Sequence, residues 1–251
     1  AGLVVSTASS NPGAASSITI RGASSLRGDN QPLYVIDGVP MLNIGTEQAY
    51  SAIGGTANAG NRDGGDGISN LNPEDVESIS ILKGAPAAAL YGSQAANGVI
   101  LITTKKGNTA GQRNIYFSTG LTFDKAFSLP KMQNCYGVSD VVDSWGEKAY
   151  LPISNELNDF FRTGLTSITS VSVNYGNEKI QTYFSYANTT GRGIVDKNQL
   201  TKHNINLRET AVMFNQRLKL DGNVNVMRQI VKNKPVSGGF YMNPLVGLYR
   251  F

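Results

Sequence analysis

The stretch Leu218-Lys-Leu-Asp-Gly-Asn-Val-Asn-Val226 decides the fold of this chain. Apolar and polar residues alternate along it, with Leu218, Leu220, Val224 and Val226 on one side and Arg217, Lys219, Asp221, Asn223 and Asn225 on the other. A period of two places the two sets on opposite faces of a β-strand. The stretch is therefore predicted to form a long strand with one apolar face and one polar face.

Four other segments of the second half show the same alternation, and they contain Ile115, Val171, Ile180 and His203. The sequence Gly176-Asn-Glu178 predicts a tight turn between two of these strands, whereas residues 125–166 and 190–199 form longer connections. Alternating short and long connections are typical of porin-like barrels. Period two also fits a soluble β-sandwich, so the pattern alone leaves both architectures open.

The first half predicts a small α+β unit. Short strands are expected at residues 17–22, 33–36, 78–83 and 98–104, and a short helix at residues 86–91. Between the strands, Asp37-Gly38 predicts a tight hairpin turn. Residues 41–70 are rich in glycine and lack periodicity, which favours a functional loop.

Asn72 and Pro73 mark the start of another short helix, because Asn is a good N-cap and Pro is favoured at the first helical position. Glu74, Asp75 and Glu77 follow at once. At a helix start, carboxylates favour capping and dipole roles over acid–base catalysis.

Composition excludes several functions. The net charge of +4 comes from 22 basic and 18 acidic residues that are dispersed along the chain, which argues against nucleic-acid binding. Cys135 and His203 are single residues of their type, so neither a disulfide framework nor a zinc site is expected. Residues 61–66 match a calcium loop only in part. No catalytic motif is present, and the sequence predicts neither an enzyme nor a cofactor.

Four motifs of the first half occur in order: Pro32-Leu-Tyr-Val-Ile-Asp-Gly-Val-Pro40, Asn72-Pro-Glu-Asp-Val-Glu-Ser-Ile79, Leu82-Lys-Gly-Ala85 and Tyr91-Gly-Ser-Gln-Ala-Ala-Asn-Gly-Val-Ile-Leu-Ile-Thr-Thr-Lys-Lys-Gly107. Together they resemble the plug of SusC/RagA-type TonB-dependent outer-membrane transporters of Bacteroidota. Asp159-Phe-Phe-Arg-Thr-Gly164 is similar to the early barrel of the same family.

The resemblance implies an α+β plug, with a small mixed sheet and short helices, followed by antiparallel transmembrane β-barrel strands. Residues 1–107 would be a plug domain whose first part is missing, and residues 108–251 would be the N-terminal strands of the barrel. Family barrels have about 22 strands, a width at which the lumen must be plugged. Five strands cannot close, so the chain is expected to be a fragment.

The implied function is TonB-dependent import of a glycan or peptide across the bacterial outer membrane. A SusD-like lipoprotein would act as the lid, TonB would displace the plug, and lipid would surround the barrel. Two alternatives remain open: a soluble secreted carbohydrate-binding β module, and a siderophore or cobalamin receptor.

Two groups of site residues follow from the resemblance. Arg21 is expected to pair with barrel-wall glutamates and so hold the plug, and Gln94 stands where many relatives have a second arginine. The loop of residues 41–70 is expected to contact the ligand through side chains suited to sugars or peptides: Asn43, Tyr50, Asn58, Asn61, Arg62 and Asp63.

Overall fold

The computed structural model describes residues 2–7, 12–14, 16–22, 30–41, 67–129, 135–137, 139, 146–148 and 159–234. The strands of the first half are β1 (Leu3–Thr7), β2 (Ser16–Ile20), β3 (Leu33–Ile36), β4 (Val39–Met41), β5 (Val76–Leu82) and β6 (Val99–Thr104). The first half also contains the α-helix α1 (Ala85–Tyr91), and 3₁₀ turns occupy Ile68–Asn70, Pro73–Asp75 and Gly92–Ala95. The second half contains β7 (Arg113–Asp124), β8 (Gly164–Gly176), β9 (Ile180–Arg192), β10 (Gln199–Met213) and β11 (Leu218–Lys232).

A mixed four-stranded sheet in the order β4-β3-β6-β5 forms the centre of the first half. Strands β3 and β6 run parallel, and the two outer strands are antiparallel to their neighbours. The predicted hairpin turn is confirmed, since Asp37 and Gly38 both have positive φ angles, 50° and 86°, as a tight primed turn requires. We call the described residues from 2 to 107 the plug.

Both faces of the plug sheet are covered by apolar contacts. On one face Leu33, Val35 and Val99 pack against Ala87 of α1 and Ala95. On the other face Tyr34, Ile100 and Ile102 pack with Ile20 of β2. Alternate residues of β3 and β6 therefore point to opposite covered faces, which explains the continuous apolar run in the sequence of β6.

The N-cap at Asn72 is confirmed, because its side chain accepts a hydrogen bond from the Glu74 amide at 3.2 Å. The helix expected there is only one 3₁₀ turn, Pro73–Asp75. The helix is short because Val76 has extended backbone angles and begins β5, so the chain leaves the helical conformation after three residues.

The second half forms an antiparallel sheet in the order β11-β10-β9-β8-β7, which we call the wall. All five predicted strands are confirmed. Tight turns at residues 177–179 and 214–217 lie at one end, and longer connections join the strands at the other. The connection expected at 190–199 is shorter than predicted, because β9 extends to Arg192 and β10 begins at Gln199.

The wall is polar where it is buried and apolar where it is exposed. Its buried polar residues are Ser170, Ser185, Thr189, Asn204, Asn206, Arg208 and Thr210, with Tyr183, Ala187 and Leu200 buried beside them. Its exposed large apolar residues include Ile115, Phe117, Phe184, Ile205, Leu207, Val224 and Val226. A water-soluble sheet buries its apolar face instead. The inverted pattern is that of a strand set with hydrocarbon on its outer face.

A soluble β-sandwich would pack the apolar rows of both halves into a shared core. The two apolar clusters of the described residues consist of plug residues and their plug neighbours. The soluble carbohydrate-binding module is therefore disfavoured. None of the helices in the described ranges is long and apolar enough to cross a membrane.

Candidate functional site at the plug–wall interface

The plug is joined to the wall by a segment that passes tightly over the β8–β9 turn. The Asn174 side-chain amide donates to the Lys106 carbonyl at 3.1 Å, and the Gly111 amide donates to the Gly176 carbonyl at 2.9 Å. A Cβ atom at Gly107 would overlap the main chain of Gln181 and Thr182. The exit of the plug is thus fixed to the end of the wall that carries the short turns.

The inward row of β10 contacts the plug at four successive positions. Lys202 Nζ donates to the Ser69 carbonyl at 2.8 Å, and Asn204 Nδ2 donates to the Asn70 carbonyl at 2.7 Å. Further along the strand, Asn206 and Arg208 reach plug carboxylates. Because strand side chains alternate, a single strand presents all four polar groups to the plug and Ile205 and Leu207 to the other side.

Arg208 is the buried centre of an ionic cluster, the Arg208 cluster, formed with Asp37, Thr104 and Asp221. Its Nη1 donates to Asp37 Oδ2 at 2.9 Å and to Thr104 Oγ1 at 2.6 Å. Its Nε and Nη2 donate to the two carboxylate oxygens of Asp221 on β11, at 2.9 and 2.8 Å. One guanidinium therefore connects the end of plug strands β3 and β6 to two wall strands.

Within this cluster, Asp37 is held as a carboxylate. Burial on its own would raise the pKa of Asp37, but two hydrogen bonds from Thr104 and the charge of Arg208 outweigh burial, so the pKa lies below its ordinary value of 3.8. The Thr104 amide and hydroxyl donate to the two Asp37 oxygens at 2.9 and 2.6 Å. Asp37 is therefore anchored within the plug and presents its negative charge to Arg208.

A second buried group, the Asp75 cluster, consists of Asp75, Tyr183 and Asn206. The Tyr183 hydroxyl donates to Asp75 Oδ1 at 2.9 Å, and Asn206 Nδ2 donates to Asp75 Oδ2 at 3.3 Å. The main chain of Asp75 is fixed as well, because its carbonyl accepts from the Lys105 amide at 2.8 Å. Two neutral donors from β9 and β10 thus solvate a plug carboxylate that water does not reach.

The site residues expected from the sequence fall into two groups. The ligand-contact residues Asn43, Tyr50, Asn58, Asn61, Arg62 and Asp63 lie outside the described residues. Arg21 and Gln94 are described, and both side chains are exposed. Arg21 makes no ion pair with another described residue, and the wall glutamate Glu209 instead accepts from Thr182 at 2.7 Å. The role of Arg21 and Gln94 in holding the plug stays a prediction.

Sequence reasoning missed the residues that join plug and wall. The sequence predicts only a turn at Asp37 and only a helix start at Asp75, and the wall partners of both lie more than a hundred residues away. A usable signal was Arg208, the single charged side chain in the inward row between Asn204 and Thr210 of β10. His203, expected in the wall, lies on β10 and contacts Tyr186 and Asn188 of β9. Cys135 is partly buried.

A mixed sheet that contacts the polar face of a wall, whose opposite face is apolar and exposed, defines a plug domain with attached β-barrel strands. Comparison with known proteins agrees. The TonB-dependent receptor plug domain matches residues 1–99. The TonB-dependent receptor SusC of Bacteroides thetaiotaomicron is 32% identical over 238 residues, which cover 90% of this chain. The TonB-dependent receptor P26 of Formosa agariphila is 40% identical over 138 residues, or 53% of this chain.

Solved structures share the fold. The RagAB peptide importer in its open-open state superposes with a TM-score of 0.69 at 23% identity, covering 91% of this chain and 27% of that one. In its closed-closed state the TM-score is 0.68 at 21% identity, covering 93% and 28%. The chain belongs to the SusC/RagA-type TonB-dependent receptors and comprises plug and barrel strands. It spans 22% of the length of SusC and 11% of that of P26.

Proposed function

We propose that this chain is the plug and first wall strands of a transporter that imports a glycan or a peptide across the bacterial outer membrane. In this proposal TonB pulls on the plug from the periplasm, and the plug–wall interface opens to create a path. The protein transports its cargo and does not catalyse a reaction on it. The boundary between the two units is placed at residue 107, with the barrel strands following from residue 108.

The observation that supports plug displacement is the polar character of the β10 contacts. Among the described residues, Lys202, Asn204, Asn206 and Arg208 each make a hydrogen bond or an ion pair with the plug. When such a contact opens, water replaces the lost partner, and the net cost per neutral hydrogen bond is only about 0.5–1.5 kcal/mol. An interface of this kind can open and close repeatedly.

The proposal can be tested by cross-linking the plug to the wall in the full-length receptor. We choose Asn70→Cys with Asn204→Cys, because the Asn204 side chain reaches the Asn70 main chain, and Cys135→Ser removes the other cysteine of this chain. The oxidised receptor is expected to bind cargo but not to import it, and reduction should restore import. If the oxidised receptor imports cargo as fast as the reduced receptor does, plug displacement is refuted.

A matched control places the cross-link inside the wall. Thr119 and Thr169 lie opposite each other on β7 and β8, with their hydroxyl oxygens 3.5 Å apart. Thr119→Cys with Thr169→Cys should leave import unchanged after oxidation, because both strands belong to the wall. This control separates a block of plug movement from a general effect of oxidation.

The cargo and the partners belong to the same proposal. A SusD-like surface lipoprotein would hold the cargo over the plug, and the loop residues Asn43, Tyr50, Asn58, Asn61, Arg62 and Asp63 would contact it from below. A receptor-deficient strain that carries the full-length gene and its lipoprotein partner should grow when a glycan or a peptide is the sole source of carbon. Uptake of iron chelates or cobalamin alone would instead favour the siderophore or cobalamin class.

A further inference from the structure

Arg208 has two carboxylate partners, one in the wall and one in the plug. Asp221 lies in the wall and engages two nitrogens of the guanidinium, Nε and Nη2. Asp37 lies in the plug and is reached by Nη1 alone. The wall therefore fixes the orientation of the guanidinium, and the plug uses the remaining nitrogen. Arg208 and Asp221 are diagonal neighbours across the sheet, since Arg208 pairs in register with Asn223.

We propose that Asp221 is a positioning residue for plug release, because it holds Arg208 and balances its charge both when the plug is seated and when the plug has left. This inference rests on the plug displacement proposed above. When the plug moves, Asp37 is carried away with it, whereas Arg208 keeps its two bonds to Asp221. Arg208 is therefore not left without a carboxylate partner when the plug moves.

The physical reason is the cost of separating buried charges. The Arg208 side chain is 5% exposed, whereas those of Asp37 and Asp221 are 17% and 29% exposed. Removing one partner of a buried pair is costly mainly because the other charge is left uncompensated. Without Asp221, Asp37 would be the only carboxylate among the described residues to balance Arg208. The plug would then be held more tightly, because its departure would leave Arg208 unpaired.

A simpler role for Asp221 would be to stabilise the contact between β10 and β11. That role predicts that Asp221→Asn lowers the stability of the wall and leaves the plug attached as before or more loosely. The positioning role predicts the opposite sign for the plug. It also predicts that the effect depends on Asp37, because Arg208 has no plug carboxylate to hold when Asp37 is neutral.

The test is extraction of the plug from the full-length receptor in a lipid bilayer, with the N-terminal end pulled at constant force. Asp221→Asn is expected to lengthen the lifetime of the seated plug about tenfold, as expected for one strengthened charge-assisted hydrogen bond. Asp37→Asn is expected to shorten it. The double variant should not outlast Asp37→Asn, because without a plug carboxylate the loss of Asp221 leaves Arg208 buried and unpaired while the plug is seated.

Asp196→Asn is the matched control, since Asp196 pairs with Arg162 at 2.7 Å in a wall connection away from the Arg208 cluster. It should leave the plug lifetime unchanged. If Asp221→Asn does not assemble, Asp221→Ser removes the same charge and is measured by the same criteria. A lifetime equal to or shorter than that of the wild type, or an equal lengthening in the Asp37→Asn background, would overturn the inference.

The extraction measurement needs neither TonB nor cargo. If the cross-linked receptor still imports, plug displacement as the transport step fails, but the lifetimes still decide whether Asp221 positions Arg208. If import is blocked as expected and the lifetimes do not respond to Asp221, only the inference about Asp221 fails.

Discussion

Replacing Tyr183 with Phe isolates one hydrogen bond between wall and plug, the bond from the Tyr183 hydroxyl to Asp75. The substitution deletes the hydroxyl that donates to Asp75 at 2.9 Å and keeps the ring, so the packing of β9 is retained. Tyr183 is 1% exposed and Asp75 is fully buried. Water therefore cannot take the place of the hydroxyl while the plug is seated.

The expected effect follows from the chemistry of this bond. A hydrogen bond to a charged group contributes about 1.5–3 kcal/mol, and we take about 2 kcal/mol for the Tyr183–Asp75 bond. The remaining donor, Asn206 Nδ2, lies at the longer distance of 3.3 Å and cannot compensate for the loss. At 1.4 kcal/mol per tenfold change, displaced plug should become about 30-fold more populated relative to seated plug.

Hydrogen exchange in the full-length receptor at neutral pH measures this ratio. The amides of Leu71, Asp75 and Lys105 donate to carbonyls within the plug, beside the contacts that Asn70 and Asp75 make with the wall, and they should exchange about 30-fold faster where exchange requires plug displacement. Tyr175→Phe is the control, because the Tyr175 side chain is exposed and its ring lies 5.1 Å from the Arg113 guanidinium of β7. Unchanged exchange in Tyr183→Phe would refute the assignment of Asp75 to the interface.

Three further changes test other parts of the structure. Because the pKa of Asp37 is lowered below 3.8, its contact with Arg208 is complete above that pH and is lost as the pH falls through the lowered pKa. Extraction of the plug should therefore become easier below pH 3.8 in the wild type. The Asp37→Asn variant should not show this dependence on pH. Gly107→Ala should displace the segment at the β8–β9 turn and raise proteolysis there, whereas Gly222→Ala, which meets no atom within 4 Å, should not. Ile205→Lys places a charge on the apolar outer face and should reduce the yield of assembled receptor in membranes, at a cost of about 2–4 kcal/mol if the site lies near mid-bilayer.

The strands of the wall could be predicted because the sequence signal for each strand lies within the strand itself. Residues from Leu218 to Val226 alternate with a period of two, and the same period marks β8 and β9, so each strand and its two faces follow from a few neighbouring residues. The Asp37-Gly38 turn is local in the same sense. Where local signals conflicted, prediction was less good, as at Pro73, where a helix start runs directly into a strand.

The contacts between plug and wall could not be predicted because each contact joins residues that are far apart in the sequence. Asp37 and Arg208 are 171 residues apart, and Asp75 and Asn206 are 131 residues apart. Each residue has an adequate local explanation, so nothing near it in the sequence demands a partner. Only the position of Arg208 in a buried polar row indicates that a carboxylate must face it.

The distribution of polar and apolar contacts fits the proposal that the plug leaves the wall and stays folded. Apolar burial, which strengthens with area and has no directional requirement, is kept within the plug, around Tyr34 and Val35. The contacts that Asp37, Asn70 and Asp75 make with the wall are directional and polar, and in the displacement proposed above Asp221 would stay with Arg208 when Asp37 leaves. Opening the interface therefore exposes groups that water can solvate, while the apolar clusters inside the plug remain intact. If the interface were apolar, the same movement would cost free energy in proportion to its whole area.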